Sequence, residues 1–288
     1  MNLNGVNLTG RIIKGVAGSY HVLVGNKVYN CTPRGVFRKR DLTPLVGDNV
    51  EITATGEDIG TLHTVLPRKN ELRRPPVANI DQVIITIATT QPAFNAGLLD
   101  RFLVLAEYAN IPAVICVNKN DLTTDTKEFA PYRHYPIVYT STVQDTGLDN
   151  LRGIMADKLN VLAGPSGVGK SSLINALAPG FQLETGGLST KLGRGKHTTR
   201  HSEIFALGKS PEDGYCVDTP GFTSLDVTEI TKVELAGLFP EFLEYAGECK
   251  FNNCIHLKES NCAVKNAVGD KIPTVRYEGY VKLSELCK

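Results

Sequence analysis

Residues 164–171 read GPSGVGKS, and residues 118–121 read NKND. The first stretch matches G-x-x-x-x-G-K-[ST], a glycine-rich loop whose backbone N–H groups surround phosphate oxygens. The second is typical of the loop that reads guanine in GTP-binding domains. In an ordinary domain of that kind the phosphate loop comes first in the chain, whereas here it comes second. Either one motif is accidental, or the parts of the domain have changed their order.

The surroundings of GPSGVGKS favour a nucleotide site over a chance glycine-rich turn. The apolar stretch NVLAG precedes it, and SSLINALA after it predicts a helix whose positive end points at the same anion. We expect Lys170 to bridge the β- and γ-phosphates and Ser171 to ligate Mg²⁺. The predicted loop contacts are Gly164, Pro165, Ser166, Gly167, Val168, Gly169, Lys170, Ser171 and Ser172.

A D-x-x-G motif follows the phosphate loop, in YCVDTPG at residues 215–221. Alone it is weak evidence, since many turns contain it, but here it ends an apolar strand. We expect Asp218 to hold the magnesium through water and the Gly221 N–H to contact the γ-phosphate.

The NKND motif ends the apolar stretch VICVNKND. The Asp121 carboxylate can accept hydrogen bonds from N1–H and the 2-amino group of guanine, and adenine offers neither. We expect Lys119 to lie over the base and Asn118 to tie this loop to the phosphate loop, with Asn120 completing the motif. A polar turn after a strand is the alternative interpretation of NKND alone.

The order of the motifs distinguishes these alternatives. Ser141 and Thr142 close the predicted strand PIVYTST, where GTP-binding domains place a small loop that supports the base. The base reader, supporting loop, phosphate loop, switch and D-x-x-G motif therefore stand in cyclically shifted order. Because nucleotide sites are built from loops at the carboxyl ends of strands, joining the old termini and cutting elsewhere leaves them in place. Neither motif is accidental, and we predict a circularly permuted domain.

Apolar runs and helical spacing predict the layers of this domain. DQVIITIATT (81–90) and IPAVICVNKND (111–121) are typical of strands buried on both faces. Between them, helical spacing places four apolar residues on one side of a predicted helix. These residues are Leu98, Phe102, Leu105 and Ala109. The alternation of strand and helix predicts a mainly parallel sheet.

The segment TGGLSTKLGRGKHTTRH (185–201) is rich in glycine, threonine and basic residues, as expected of a switch that nucleotide orders. Thr198 or Thr199 is expected to complete the magnesium shell. Phe222 stands where many GTPases place a water-orienting glutamine, so another residue must position the water. His197 is our candidate, and a solvent-exposed switch histidine without this role is the alternative. We therefore expect slow intrinsic hydrolysis that rises when a partner orders the switch.

Residues 8–68 predict a small β-barrel, because short strands rich in Val, Ile, Thr and Tyr alternate with Gly, Asn and Asp. The oligonucleotide-binding (OB) fold is the leading candidate. The loop RGVFRKRD (34–41) could contact phosphates and stack one base on its ring, or could be an ordinary solvated loop. Its candidate RNA-binding residues are Arg34, Phe37, Arg38, Lys39 and Arg40. The basic stretch LPRKNELRRPP (66–76) is interpreted as a linker.

A cluster of three cysteines and one histidine lies near the end of the chain. This is a full tetrahedral set for one structural Zn²⁺, with no position left open for substrate. The predicted ligands are Cys249, Cys254, His256 and Cys262.

The composition gives no sign of secretion or membrane insertion. The start MNLNGVNLTG lacks a signal segment, and no apolar run reaches the roughly 18 residues of a membrane span. The net charge of +1 excludes a global attraction to nucleic acid or membrane surfaces. We expect a cytoplasmic protein with unpaired cysteines.

The combination of a small barrel, a permuted GTP-binding domain and a Cys₃His cluster resembles the small ribosomal subunit-dependent GTPase A (RsgA) family. NKND, GPSGVGKSS, GRGKHTT, DTPGF and the Cys/His spacing carry the resemblance. It implies an OB-fold domain on ribosomal RNA and a GTPase that acts late in small-subunit (30S) assembly and is stimulated by that subunit. The family's switch histidine corresponds to His197. Asn120, commonly apolar in the family, and Thr142-Val143, commonly Ala-Lys, depart from its pattern.

We therefore predict a multidomain α/β protein: an OB-fold β-barrel (1–68), a circularly permuted P-loop GTPase domain (69–226) and a helical zinc-binding domain (227–288). It should be a monomer that binds GTP or GDP with Mg²⁺, ribosomal RNA and the small subunit, and no membrane. Two other readings remain. One is a nucleotide-controlled scaffold with negligible turnover, and the other is a P-loop ATPase or kinase.

Overall fold

The computed structural model describes residues 5–35, 42–73, 75–123, 125–178, 202–218 and 226–288. They belong to two compact units. The first lies within residues 1–82, 152–162 and 171–223, and the second within 83–151, 163–170 and 224–288. In the described ranges, every helix is too short or too polar to cross a membrane.

The first unit contains a closed five-stranded barrel. Its strands pair in the order β1-β2-β3-β5-β4, and β4 returns to β1. All pairs are antiparallel except β3 with β5. The strands are β1 (Asn7–Val16), β2 (Ser19–Val24), β3 (Lys27–Pro33), β4 (Asn49–Ala54) and β5 (Ile59–Val65). This is the predicted OB-fold barrel, with Ile12, Val22, Ile52 and Leu62 buried in its interior.

The stretch that follows the barrel is more ordered than a linker. It forms a hairpin of β6 (Glu71–Arg73) and β7 (Pro76–Ala78). Arg68 donates from Nε and Nη2 to the two carboxylate oxygens of Asp48, at 2.7 and 2.8 Å. Asp48 is fully buried, so this fork-shaped contact fixes the segment to the barrel. The linker interpretation was wrong because a run of basic residues does not show which of them has a buried partner.

The remaining strands of the first unit are β11 (Leu159–Ala163), β12 (Glu203–Ala206) and β13 (Tyr215–Asp218). β11 runs parallel to β13, and β12 pairs with β13 in the antiparallel direction. β12 also meets β1, where Lys14 pairs with Glu203 and their side chains form a 2.8 Å ion pair. A short 3₁₀ turn (Pro211–Asp213) joins β12 to β13.

The second unit has a parallel sheet ordered β10-β9-β8. Its strands are β8 (Gln82–Ala88), β9 (Ala113–Asn118) and β10 (Ile137–Tyr139), and β8 and β9 are buried along their whole length. The helix between β8 and β9 is α1 (Ala96–Tyr108), as predicted. A 3₁₀ helix (Lys127–Tyr132) precedes β10.

The predicted apolar side of α1 was only partly right. Phe102 is buried, but Leu98, Leu105 and Ala109 are only half-buried. The buried residues match the predicted set only at Phe102. They are Leu99, Phe102, Leu103, Val104 and Ala106, together with Asp100. The buried side of the helix thus includes a charged residue, Asp100, which apolar periodicity does not reveal.

The other helices complete the layers and the C-terminal region. They are α2 (Leu148–Met155), α3 (Lys170–Leu177), α4 (Lys232–Ala236), α5 (Pro240–Ala246), α6 (Ala263–Ala267) and α7 (Thr274–Ser284). The C-terminal helices pack around Phe239, Phe242 and Tyr280, whose rings meet at centroid distances of 5.1–5.3 Å. The fold class is confirmed, and the domain boundaries at residues 68 and 226 stay predictions.

Candidate nucleotide site and metal centre

The phosphate loop leaves the end of β11 and leads into α3. Gly164 (φ +135°) and Gly169 (φ +93°) have backbone angles that L side chains rarely adopt. A Cβ on Gly164 would lie 2.0 Å from the Thr86 carbonyl oxygen, and one on Gly169 would lie 2.5 Å from Asn118 Nδ2. Both glycines are therefore needed because the loop packs directly against the ends of β8 and β9.

Lys170 lies folded within this loop. Its Nζ donates to the carbonyl oxygens of Gly164 and Pro165, at 2.8 and 2.7 Å. Burial lowers the pKa of the Lys170 ammonium from its ordinary value, since a charge is less stable away from water. The structure thus places a partly desolvated cation at the loop that the sequence predicts to hold phosphates.

Two side chains of the NKND motif join it to the phosphate loop. Asn118 is almost fully buried, and its Nδ2 donates to the Val168 carbonyl at 2.8 Å. Lys119 has φ +60°, and its Nζ donates to the carbonyls of Gly167 at 2.7 Å and Gln91 at 2.5 Å. Two motifs that are distant in the sequence are therefore brought together, as a shared nucleotide site requires.

The supporting loop holds the acidic end of the motif. The buried Ser141 hydroxyl donates to Asp121 Oδ1 at 2.5 Å. The serine Oγ in turn accepts the backbone N–H groups of Val143 and Gln144, at 3.2 and 3.1 Å. Because the serine is fixed by its own loop, it fixes the direction of the Asp121 carboxylate. Thr142 is half-buried beside it.

The other predicted contacts differ in how far the structure places them. Ser166 is exposed, and Ser171 and Ser172 lie in the first turn of α3. The Asn120 N–H donates to the Thr140 carbonyl at 3.0 Å. Asp218 is the last residue of β13, but only its backbone is described. His197, Thr198, Thr199, Gly221 and Phe222 lie outside the described residues.

Sequence reasoning missed two contributors to the site. The buried Thr140 hydroxyl donates to Asn118 Oδ1 at 3.1 Å and lies 3.4 Å from Cys116 Sγ, so it fixes the asparagine from behind. A polar residue at the end of an otherwise apolar strand was the available signal. Gln91 contributes through its backbone carbonyl, for which side-chain identity gives no signal at all.

The predicted metal ligands form one cluster. The ligand atoms of Cys249, Cys254, His256 and Cys262 all lie within 4.8 Å of one another. Cys249 Sγ lies 3.8 Å from Cys262 Sγ and 3.6 Å from His256 Nδ1, and His256 Nδ1 lies 3.3 Å from Cys262 Sγ. A tetrahedron with Zn–S bonds of about 2.3 Å has S–S edges of about 3.8 Å. The donor set and its spacing therefore fit a tetrahedral thiophilic ion.

Helix α7 supports the backbone of this cluster. The Tyr277 hydroxyl donates to the His256 carbonyl at 2.8 Å, and the Tyr280 hydroxyl donates to the carbonyl of Ile255. His256 has φ +55°, a left-handed conformation that histidine adopts more readily than most residues, and these contacts hold its backbone in place. The imidazole packs edge-on against Phe242, with 5.9 Å between ring centroids.

The RNA-binding residues predicted for the barrel loop fall mostly outside the described residues. Arg34 is described and follows β3, with its N–H donating to the Leu62 carbonyl at 3.0 Å. Phe37, Arg38, Lys39 and Arg40 are not described.

Comparison with family models covers most of the chain. Residues 65–228 match the RsgA GTPase model, and residues 9–62 match the model of the RsgA N-terminal domain. A relative from Geobacillus sp. (strain WCH70), named a small ribosomal subunit biogenesis GTPase RsgA, is 47% identical and covers 97% of both chains. A relative of the same name from Alkaliphilus metalliredigens (strain QYMF) is 47% identical over 95% of this chain and 96% of its own.

Two solved structures share the fold. YloQ, described as a circularly permuted GTPase, is 39% identical with a TM-score of 0.82, covering 98% of this chain and 95% of its own. YjeQ from Thermotoga maritima is 35% identical with a TM-score of 0.84, covering 98% of this chain and 99% of its own. The predicted circular permutation is therefore confirmed.

Proposed function

This chain belongs to the RsgA family of GTPases, and from that membership we propose that it hydrolyses GTP on the small ribosomal subunit to assist late maturation of that subunit. One observation carries the proposal: the side chains of Asn118 and Lys119 join the NKND motif to the phosphate loop. The alternative of a P-loop ATPase or kinase does not explain why the NKND motif contacts the phosphate loop. The names of the relatives support the subunit as partner.

In the proposed mechanism each motif binds one part of the nucleotide. Asp121 accepts hydrogen bonds from guanine while Ser141 and Thr142 support it, and Lys119 covers the ring. The N–H groups of residues 164–172 surround the phosphates, and Lys170 leaves its loop carbonyls to bridge the β- and γ-phosphates. Ser171, and Asp218 through water, would hold Mg²⁺, and the ion would supply positive charge opposite the phosphate oxygens.

The switch supplies the remaining groups. We assign the positioning of the attacking water to His197, since the phenyl ring of Phe222 cannot do it, and the Gly221 N–H contacts the γ-phosphate. Thr198 or Thr199 would complete the magnesium shell. The subunit stimulates hydrolysis by ordering this segment.

The barrel and the metal cluster serve binding and stability. The basic side chains around Phe37 contact ribosomal RNA, and the Cys₃His cluster holds one structural Zn²⁺. The protein works as a monomer in the cytoplasm, in which small subunits are assembled.

Hydrolysis measured with purified ribosomal subunits tests the proposal. We expect a slow rate of GTP hydrolysis for the protein alone and a rise of about 10²-fold or more when small subunits are added. A rise of this size is typical of a positioned side chain that acts as a general base. Phosphate release is followed at saturating GTP with small subunits, with large subunits, and without either.

Lys170→Ala serves as the blank, because it removes the cation from the phosphate loop. A rate that stays flat with small subunits, while GTP binding persists, would contradict the proposal. It would favour instead a nucleotide-controlled scaffold with negligible turnover.

The zinc assignment has its own test. Cys262→Ser should reduce bound zinc from about one ion per chain to almost none, since a serine hydroxyl is a poor replacement for a thiolate ligand. Metal content of the purified protein is measured by mass spectrometry. The matched control is Cys287→Ser, another buried cysteine outside the cluster, which should keep its zinc. Equal zinc in both variants would exclude Cys262 as a ligand.

A further inference from the structure

A polar cavity of about 340 Å³ opens on the outer face of the barrel. It lies across β1, β4 and β5, whereas OB folds ordinarily bind nucleic acid on the face of strands 2 and 3. Its size is within the range of small-molecule pockets. The polar residues that line it are Asn7, Thr9, Arg34, Glu51, Thr53 and His63.

An irregularity in strand pairing places His63 at this cavity. Glu51 of β4 pairs with Thr64, and the next residue, Ile52, pairs with Leu62, so His63 is an extra residue in β5. Such a β-bulge redirects a side chain that regular alternation would aim elsewhere, and bulges are common beside functional sites.

His63 Nε2 is buried and has no hydrogen-bond partner among the residues that the structure describes. Buried polar atoms are nearly always paired, so an unpaired one at a cavity indicates a missing partner. Burial, and then the positive charge of Arg34, lower the pKa of His63 from its ordinary value. A neutral imidazole can offer Nε2 as donor or acceptor according to its tautomer.

The other groups in the cavity combine donors with acceptors. Thr53 Oγ1 donates to Asn7 Oδ1 at 2.7 Å, which leaves the Asn7 amide N–H groups as donors. Arg34 donates only, and the Glu51 carboxylate accepts only. A phosphate would meet repulsion from Glu51, whereas the edge of a nucleobase carries donors and acceptors side by side.

We propose that this cavity binds a single unstacked guanine of RNA. The Glu51 carboxylate would accept from guanine N1–H and the 2-amino group, and Arg34 would donate to O6. His63 would pair with a remaining ring nitrogen or the ribose. Single-stranded RNA is recognised in this way, through bases turned out of the stack and read along their edges. The inference rests on the proposed function, which supplies RNA as the partner.

The test compares two short RNA probes with the full-length protein. One is an oligouridine, and the other carries one central guanosine. Binding of each probe to the protein is measured by fluorescence anisotropy. We expect the guanosine probe to bind about tenfold more tightly, a typical value for one well-paired base. His63→Ala should abolish this preference. Glu51→Gln, which keeps the shape but adds donors, should also abolish it and favour a base with more acceptors.

The matched control is His21→Ala, a histidine on β2 of the same barrel that does not line the cavity. It should keep the preference, and thermal unfolding checks that each variant is folded. No preference in the unaltered protein, or a preference that survives both His63→Ala and Glu51→Gln, would overturn the inference.

Hydrolysis stimulated by small subunits separates this failure from failure of the proposed function. If stimulation persists while the guanosine preference is absent, the cavity assignment alone is wrong. If the preference depends on His63 but small subunits never stimulate hydrolysis, the proposed function is wrong and the RNA site stands.

Discussion

Asp121→Asn should weaken GTP binding by roughly 10²–10⁴-fold. The carboxylate accepts two hydrogen bonds from guanine in the proposed site, and an amide presents its N–H₂ group where an acceptor is needed. Each hydrogen bond to a charged group contributes about 1.5–3 kcal/mol, so the loss of two corresponds to that range. The measurement is titration calorimetry or competition with a fluorescent GTP analogue.

The same substitution should change which base is preferred. Xanthine has a carbonyl oxygen where guanine has its 2-amino group, so the N–H₂ group of the introduced asparagine can donate to it. An asparagine side chain keeps the shape of the aspartate, and its carbonyl oxygen can still accept from the Ser141 hydroxyl. We therefore expect the variant to bind xanthosine triphosphate more tightly than GTP, with the loop that supports the base intact.

Asp145→Asn is the matched control, since it makes the same chemical change at an exposed position of the supporting loop. It should leave GTP affinity within about twofold, as surface substitutions usually do. Competition by ATP is the measurement that could contradict the assignment of Asp121 to guanine. If ATP displaced GTP as well as GTP itself, or if Asp121→Asn left GTP binding unchanged, Asp121 would not read guanine.

The candidate nucleotide site could be proposed from the sequence because its chemistry constrains residue types at fixed spacings. A phosphate loop needs glycine where the backbone approaches other strands, as Gly164 and Gly169 do. A guanine reader needs a carboxylate at the end of a strand. These requirements act locally in the chain, so the permuted order could be read without coordinates, and the similar solved structure YloQ is described as a circularly permuted GTPase.

Features made by long-range contacts were not predictable in the same way. Thr140 supports Asn118, and Arg68 fixes the segment after the barrel through buried Asp48, because folding brings them together. The bulge at His63 depends on the register of two strands, which composition does not determine. The switch residues from His197 to Thr199 are outside the described residues, so their roles stay predictions.

The largest feature that the sequence did not predict is a buried ionic cluster in the second unit. Arg276 on α7 donates from Nη1 to Asp100 on α1, and from Nη2 to Glu241 on α5 at 3.3 Å. All three side chains are at most 2% exposed. The guanidinium also lies 5.0 Å from the ring centre of Tyr132 and 4.7 Å from that of Phe239. One cation therefore joins three helices inside an apolar region.

Arg276→Met should lower the free energy of unfolding by about 3–5 kcal/mol, because it leaves two carboxylates buried without their cation. Urea unfolding at neutral pH measures the change. Lys282→Met is the matched control on the exposed side of the same helix, and should change stability by no more than about 0.5 kcal/mol. A loss below about 1 kcal/mol for Arg276→Met would show that the cluster contributes little.

The pH dependence of this loss separates unpaired charge from lost packing. Burial raises the pKa of Asp100 to about 6 even though Arg276 opposes the rise, so removing Arg276 should raise it further. An acid whose folded-state pKa exceeds its unfolded value binds its proton more tightly when folded, so its contribution to stability is present at low pH and lost as pH rises. The loss of unfolding free energy caused by Arg276→Met should therefore become smaller as the pH falls from about 7.5 to about 5.5. If the loss of unfolding free energy did not depend on pH, the cause would be a packing defect instead.

Replacing Asp100, Glu241 and Arg276 together by leucine and methionine should recover most of the unfolding free energy that Arg276→Met loses. The reason is that no buried charge remains in the triple variant.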